Sequence, residues 1–204
     1  MSRLMEIIGR QFGSPSGMGG KICFALQNTF NSYMYYEMLE AVNAKENDRV
    51  LDIGYGNGYF IQKLYDRYHS DIYGIDISDS AMENAVKRNR KAMNEGALHL
   101  SVGDCCDIPF ENETFDKVTS INTIYFWKDT VRGLSEIRRV LKKDGVFYNA
   151  LILKNILEKL PYTQTGFKYF DWEQLVRDGK RAGFRRVCIK EILKDSTVIV
   201  MYQR

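Results

Sequence analysis

The sequence predicts an α/β fold: one doubly wound, mostly parallel seven-stranded sheet with an antiparallel C-terminal hairpin strand and an N-terminal helical appendage. Three observations lead to this prediction. From residue 49 onward, short apolar runs alternate with amphipathic helical runs, as they do in βαβ units. A glycine cluster at 54–58 follows the first apolar run directly. Near the end of the chain, only three residues separate two strand-like runs, which indicates a hairpin.

The first βαβ unit begins with a strand at 49–53 and continues through the glycine cluster into a helix. A second strand is predicted at 71–77, and Ser78 or Asp79 can cap the helix that follows it. Both helices show apolar residues at helical spacing, which fits helices packed on a parallel sheet. These positions are Phe60, Ile61, Leu64 and Tyr68 in the first helix and Met82, Ala85 and Val86 in the second.

The alternation continues through the rest of the chain. Further strands are predicted at about 97–102, 115–121 and 145–153, and a helix at 129–143 is expected to stop at Gly145. A last helix at 171–182 precedes the two hairpin strands, at 185–193 and 197–202. These strands bring the predicted sheet to seven.

Length and charge predict one domain over residues 1–204, with an α/β core at 44–204 and the appendage at 1–43. The 204 residues include 29 Lys and Arg against 26 Asp and Glu, and no long basic run occurs. This balance disfavours a nucleic-acid partner. No apolar run approaches the roughly 20 residues of a bilayer span, and the N-terminus lacks the apolar segment of a secretory signal. We therefore expect a cytoplasmic protein without a membrane partner.

The cysteines and histidines predict no metal site. The four cysteines form no C-x-x-C pair, and the two histidines lie 30 residues apart without acidic or cysteine companions at ligand spacing. We expect all four thiols to be reduced.

The appendage contains a glycine-rich segment at 13–20 and a helix-like run at 22–42 that carries Tyr33, Tyr35 and Tyr36. One interpretation is a lid over a binding site. The other is a helix that simply covers one face of the sheet. The sequence leaves both open.

A ligand of an open parallel sheet binds beyond the carboxyl ends of the strands, where the glycine cluster lies. Gly54 and Gly56 would let the backbone approach a ligand closely. Asp76 ends the second strand, 24 residues after Asp52, where a carboxylate can accept both hydroxyls of a ribose. Glycine also occurs in purely structural turns, but the two features together indicate an adenosine-containing ligand.

The spacing of the glycines distinguishes between cofactors. A dinucleotide fingerprint needs G-x-G-x-x-G, but Tyr59 stands where the third glycine would be. Asp52, just before the turn, would repel a pyrophosphate and attract the ammonium of S-adenosylmethionine. After the third strand, the carboxylate of Asp104 could accept the adenine amine, and Cys105 could offer its backbone N–H to the ring.

In four ordered stretches the chain resembles the class I S-adenosylmethionine-dependent methyltransferases, from about residue 48 to residue 148. They are VLDIGYGNG at 50–58, YGIDIS at 73–78, GD at 103–104 leading to IPF at 108–110, and FDKV at 115–118 with IRRVLKKDGV at 137–146. The resemblance implies a Rossmann-like fold with an antiparallel seventh strand. It places the methionine part of the cofactor against Asp52, Gly54 and Gly56, the ribose on Asp76, and the adenine beside Ile77, Asp104 and Cys105.

Asn122 follows the fourth strand, where many members of that family place a residue that faces cofactor and substrate. Enzymes that methylate the amino groups of nucleic-acid bases resemble each other in an Asn- or Asp-Pro-Pro-aromatic motif at this place. Both prolines are missing from this chain, which counts against base methylation. Tyr125, Phe126 and Trp127 come next and could line an apolar acceptor pocket or cap the core. His69, Asp107 and Tyr125 are titratable, but none is assigned as a general base.

These features predict metal-independent, in-line transfer of a methyl group to a small, partly apolar molecule. Two alternatives stay open at this stage: a non-catalytic S-adenosylmethionine-binding module and a nicotinamide-dependent oxidoreductase.

Overall fold

The computed structural model describes residues 31–204, and these form a seven-stranded sheet between two layers of helices. The strands are β1 (Arg49–Ile53), β2 (Asp71–Asp76), β3 (Leu98–Val102), β4 (Phe115–Ile121), β5 (Leu141–Ile152), β6 (Arg186–Leu193) and β7 (Thr197–Gln203), in the order β3-β2-β1-β4-β5-β7-β6. The first five pair in parallel, and β7 pairs antiparallel with both β5 and β6. The predicted Rossmann-like architecture is confirmed.

Helices cover both faces of the sheet. On one face lie α1 (Ser32–Val42), α2 (Tyr59–Tyr68), α3 (Asp79–Arg88) and α4 (Arg90–Asn94), and on the other lie α5 (Thr130–Val140) and α7 (Trp172–Arg181). A short helix α6 (Lys154–Leu157) and two 3-10 turns, at Ile124–Phe126 and Pro161–Thr163, lie in the connections. In the part of the chain described, no helix is long and apolar enough to cross a bilayer.

The predicted capping of α3 is confirmed at Ser78, whose side chain accepts the amide of Ala81 at 3.3 Å. The helix ends at Arg88, and the side-chain amide of the next residue, Asn89, donates to the carbonyls of Gly58 at 3.1 Å and Ala85 at 2.9 Å. It thereby ties α3 to the glycine cluster.

The prediction of a helix over 129–143 with a stop at Gly145 is wrong at its C-terminal end. Helix α5 ends at Val140, and Leu141 is already extended, fully buried and paired with Phe115 of β4. The next partner of β4 is Val146, so the intervening residues bulge out of the ladder, with Asp144 in the left-handed region at φ 67°. The polar K-K-D-G sequence is therefore a bulge inside a 12-residue strand.

Helix α1 is a packed layer of the fold. Met34, Met38 and Val42 are fully buried against the sheet, and Tyr35 stacks on Phe60 of α2 with ring centroids 5.8 Å apart. The predicted helical start at residue 22 and the glycine-rich segment lie outside the described residues. Since the described part is fixed in the core, a lid would have to lie before it.

Candidate functional site

The glycine cluster forms the turn between β1 and α2 with left-handed backbone at three positions. Gly54, Gly56 and Gly58 have φ of 74°, 54° and 71°, a region that L side chains rarely adopt. A Cβ at Gly54 would lie 2.4 Å from Cγ2 of Thr123, so this strand end passes directly beside the chain that leaves β4. Gly54 is thus closely packed against Thr123, and the close approach of its backbone to a ligand stays a prediction.

Asp76 holds this turn in shape from the end of β2. One carboxylate oxygen accepts the amide of Gly56 at 2.9 Å and the other accepts the amide of Ser78 at 3.0 Å. Burial raises the pKa of Asp76, and these backbone hydrogen bonds oppose that effect. Each carboxylate oxygen has a second lone pair, so the group can accept further hydrogen bonds from a ligand.

Asp52 lies at the inner end of the site, almost completely buried. Its carboxylate accepts a hydrogen bond of 2.7 Å from the hydroxyl of Thr119 on β4. Burial raises the pKa of Asp52 to about 7, the Thr119 hydrogen bond lowers it, and the charge of Asp76 adds to the rise. A cation bound next to Asp52 would therefore shift this carboxyl group toward its ionised form.

The rim after β2 and β3 combines one apolar and one charged feature. Ile77 is 59% exposed, which is unusual for a large aliphatic side chain in this fold. Asp104 accepts the amide of Cys106 at 2.9 Å and pairs with Lys128 at 3.0 Å, and these contacts lower its pKa. Cys105 is buried, and burial raises the pKa of its thiol.

Asn122 joins the end of β4 to α1. Its backbone is left-handed at φ 57°, and its amide nitrogen donates to Oδ1 of Asn31 at 3.1 Å and to Sδ of Met34 at 3.4 Å. Its carbonyl oxygen accepts from the hydroxyl of Tyr125 at 3.0 Å. The side chain thus lies at the point where three segments meet beside the cavity.

The aromatic run after β4 divides between the two predicted roles. Tyr125 is buried in the core at 2% exposure and Phe126 lines the cavity, whereas Trp127 does both, since it is 5% exposed and also lines the cavity. Phe167, from the long β5–α7 connection, packs edge-on behind Phe126 with ring centroids 4.7 Å apart. Lys168 fixes the same connection by donating to the carbonyls of Trp127 and Lys128. Sequence analysis assigned no role to this connection.

The titratable residues considered as bases do not line the cavity. His69 caps the end of α2, next to the start of β2 and therefore at the opposite edge of the sheet. Asp107 is exposed beyond the rim. The hydroxyl of Tyr125 accepts the backbone amide of Ile152 at 2.6 Å, and burial raises its pKa.

The predicted site residues converge on one cavity of about 200 Å³ at the carboxyl ends of β1, β2 and β4. The cavity brings together all eight residues predicted to bind the cofactor: Asp52, Gly54, Gly56, Asp76, Ile77, Asp104, Cys105 and Asn122. It also has lining residues that sequence analysis did not assign to the cofactor site, among them Asn31, Tyr35, Tyr59, Thr123 and Lys128. Their positions depend on contacts between distant segments, for which the chain carries no local motif.

Within residues 31–204, one group of side chains brings metal-ligating atoms together. Asp104, Cys105 and Cys106 place a carboxylate oxygen and two thiols within 4.8 Å of one another. The ammonium of Lys128 already pairs with this carboxylate, which disfavours a cation at the same place.

Comparison with known proteins gives a consistent result. A family model described as a methyltransferase domain matches residues 51–149. The Bacillus subtilis protein YrhH, named as a methyltransferase, is 33% identical over 142 residues, which cover 69% of this chain and 72% of that protein.

Solved structures share the fold. A chain from the complex of the Haloferax volcanii Trm112 activator with a methyltransferase superposes with a TM-score of 0.75 at 20% identity, covering 87% of this chain and 91% of that one. Phosphoethanolamine N-methyltransferase 2 of Haemonchus contortus, solved with S-adenosylmethionine, gives 0.71 at 18% identity and covers 84% and 52%. At these identities the likeness shows the fold.

Proposed function

Because this chain belongs to the class I S-adenosylmethionine-dependent methyltransferases, we propose that it methylates a small, partly apolar molecule by in-line displacement without a metal ion. The observation that carries the proposal is the convergence of Asp52, Gly54 and Asp76 on one cavity at the carboxyl edge of the sheet.

The residues fit the cofactor part by part. The left-handed backbone of Gly54 and Gly56 leaves room for the methionine moiety, and the carboxylate of Asp52 would face its ammonium. Asp76 would accept the ribose hydroxyls. The exposed side chain of Ile77 offers an apolar surface to adenine. Asp104 and Cys105 would meet the edge of the same ring, and Asn122 would lie at the opposite end, near the acceptor.

When bound, the cofactor supplies a methyl group on a sulfonium that leaves as a neutral thioether. The chain therefore has only to orient the acceptor and exclude water. Tyr35 and Phe126 supply aromatic wall at the end of the cavity next to Asn122, and Phe60 adds apolar surface. These walls support a partly apolar acceptor.

Metal independence rests on the same chemistry. A good leaving group needs no Lewis acid. A cation near Asp104 would have to displace Lys128 from that carboxylate.

A non-catalytic binding module is the second candidate, because every residue assigned above would serve binding alone. The similarity to methyltransferases gives no support to the alternative of a nicotinamide-dependent oxidoreductase.

We also propose one domain, with the core at 44–204 and residues 1–43 as an appendage. Since α1 is packed against β4, β5 and α2, any lid motion would be confined to the residues before it. Hydrogen exchange over residues 10–36 with and without S-adenosylhomocysteine tests this. Equal protection in both states would exclude a lid.

The test of the cofactor assignment is the Asp76→Ala variant. We expect S-adenosylhomocysteine affinity to fall by at least about 1.5 kcal/mol, roughly tenfold, because two charge-assisted hydrogen bonds are lost. Calorimetry measures this affinity, with NAD as the ligand that should not bind.

The matched control is Asp79→Ala, which removes the same charge from an exposed position three residues away that does not line the cavity. Unchanged affinity in Asp76→Ala, or equal losses in both variants, would contradict the ribose assignment. Chelator added to an acceptor screen tests metal independence, and turnover that stops with chelator would contradict it.

A further inference from the structure

The charged groups around the cavity are predominantly acidic. Among the described lining residues are three carboxylates, Asp52, Asp76 and Asp104, and one cation, Lys128. Lys128 pairs with Asp104 at 3.0 Å, so its charge is already compensated. Among the described lining residues, the carboxylates of Asp52 and Asp76 therefore have no cation paired with them.

The acceptor end of the cavity, defined as Asn31, Tyr35, Ile121, Asn122 and Phe126, is neutral. Asn122 and Asn31 are joined amide to amide. Burial, the largest influence on Tyr35, raises its pKa to about 12, so this phenol is uncharged at neutral pH. The remaining two side chains are apolar.

Two cations lie nearby but outside this wall. The ammonium of Lys63 and the guanidinium of Arg88 are 4.8 and 5.3 Å from the centroid of the Tyr59 ring. Arg88 also donates to the carbonyl of Asn57 at 3.1 Å. Neither lines the cavity, so within residues 31–204 the one lining cation is Lys128, which is already paired with Asp104.

An anionic acceptor would therefore lose its hydration at a neutral acceptor end where no unpaired lining cation compensates its charge, and this desolvation is unfavourable. An uncharged acceptor avoids this cost and is therefore favoured over a carboxylate or a phosphate.

The distribution of hydrogen bonds narrows the class further. Alcohols, phenols and carbon acids must lose a proton to become nucleophilic, and this requires a base in reach. Of the lining carboxylates, Asp52 is bonded to Thr119, Asp76 to two backbone amides and Asp104 to Lys128, and all three are assigned to the cofactor. An uncharged amine nitrogen needs no base before transfer.

We propose that the acceptor is a weakly basic amine on an apolar body, uncharged at neutral pH, and that it is methylated at nitrogen. This inference rests on the proposed function. The nitrogen lone pair forms the new N–C bond while the S–C bond breaks with its electron pair going to sulfur. The methylated nitrogen then carries the positive charge and releases its proton to water.

A labelled-product experiment identifies the acceptor atom. The full chain is incubated with S-adenosylmethionine carrying a ¹³C methyl group and with the small-molecule fraction of a bacterial extract, and products are analysed by mass spectrometry and NMR. An N-methyl product without carboxylate or phosphate is expected. A product methylated at oxygen, sulfur or carbon, or an anionic one, would overturn the inference.

A binding experiment provides a readout that does not depend on turnover. Aniline, phenol and benzoate share one ring and differ in the group that would face the acceptor end. In the complex with S-adenosylhomocysteine at pH 7, we expect benzoate to bind at least about tenfold more weakly than aniline. Equal or tighter binding of benzoate would overturn the inference.

The outcomes separate this inference from the proposed function. If S-adenosylhomocysteine does not bind, the proposed function fails. If it binds and no labelled product forms, the non-catalytic module is favoured and the inference fails with catalysis. If it binds and a product other than an N-methyl amine forms, only the inference fails.

Discussion

The cavity has two walls that are built in different ways. The cofactor wall, formed by Asp52, Gly54, Gly56 and Asp76, comes from two consecutive strand ends, and its key hydrogen bond joins residues 20 positions apart. The acceptor end depends on contacts across the chain. Asn122 meets Asn31 across 91 positions, and Phe126 is supported from behind by the later β5–α7 connection.

This difference shows which part of a site a sequence can reveal. A wall made from backbone conformation and strand ends leaves a local motif, because glycine and aspartate are needed at fixed spacing. A wall made from side chains of distant segments leaves no such spacing. The two walls should therefore respond differently to substitution.

The largest expected effect is at Gly54. Gly54→Ala places a Cβ 2.4 Å from Cγ2 of Thr123 in backbone with φ of 74°. We expect S-adenosylhomocysteine affinity to fall at least about a hundredfold, because the turn must move away from its ligand-binding shape. Calorimetry measures the affinity.

The matched control is Gly96→Ala. Gly96 has a φ of 71° but no atom within 4 Å of an added Cβ, so it isolates the backbone cost, about 1–2 kcal/mol in the free energy of unfolding. Its affinity should be unchanged. An equal loss of affinity in both variants would mean that crowding at Gly54 is irrelevant to the site.

An intermediate effect is expected from the ionisation of Asp52. With a pKa of about 7 in the free protein, Asp52 is partly protonated, and a bound ammonium favours the ionised form. We expect S-adenosylhomocysteine affinity to rise by about tenfold from roughly pH 6 to pH 8, with proton release on binding at the lower pH. Calorimetry in buffers of different ionisation enthalpy measures both.

Asp52→Asn is the control, and its affinity should lose this pH dependence. The same pH dependence of affinity in both proteins would exclude Asp52 as its source.

The stability of the free protein should depend on pH in the opposite direction to the affinity. Because the pKa of Asp52 is higher in the folded protein than in the unfolded chain, the free energy of unfolding falls as pH rises from about 4 to about 7.

The smallest effect on the cofactor is expected behind the acceptor end. Phe167→Ala removes the ring that supports Phe126 and should lower the free energy of unfolding by about 1–3 kcal/mol, since Phe167 is half-buried. Affinity for S-adenosylhomocysteine should change less than twofold. Denaturant unfolding measures the free energy of unfolding, and calorimetry measures the affinity.

The control for this variant is Trp172→Ala, which removes an aromatic side chain that is 49% exposed and does not contact Phe126; it should leave the affinity unchanged and lower the free energy of unfolding less than Phe167→Ala does. A large loss of cofactor affinity in Phe167→Ala would show that the two walls are energetically coupled.

The strands, the hairpin and the convergence of Asp52, Gly54 and Asp76 on one cavity could be predicted from the sequence, because each follows from periodicity or from a motif confined to neighbouring residues. The end of α5 was mispredicted, since Leu141 fits both an apolar helical stripe and a buried strand. Pairing with Phe115 decides between them, and that partner lies 26 residues earlier. Thr123 and Tyr35 could not be predicted as lining residues for the same reason, because tertiary contacts bring them to the cavity.

The order of the strands has a consequence for biosynthesis. Because β7 lies between β5 and β6, a strand that leaves the ribosome after both of them fills the gap between them. Until residues 197–203 emerge, β5 has an open edge of unpaired amides and carbonyls, and β6 has no neighbour to pair with. The nascent chain must pass through this interval, during which the exposed edge is a target for chaperones or for another unfinished copy.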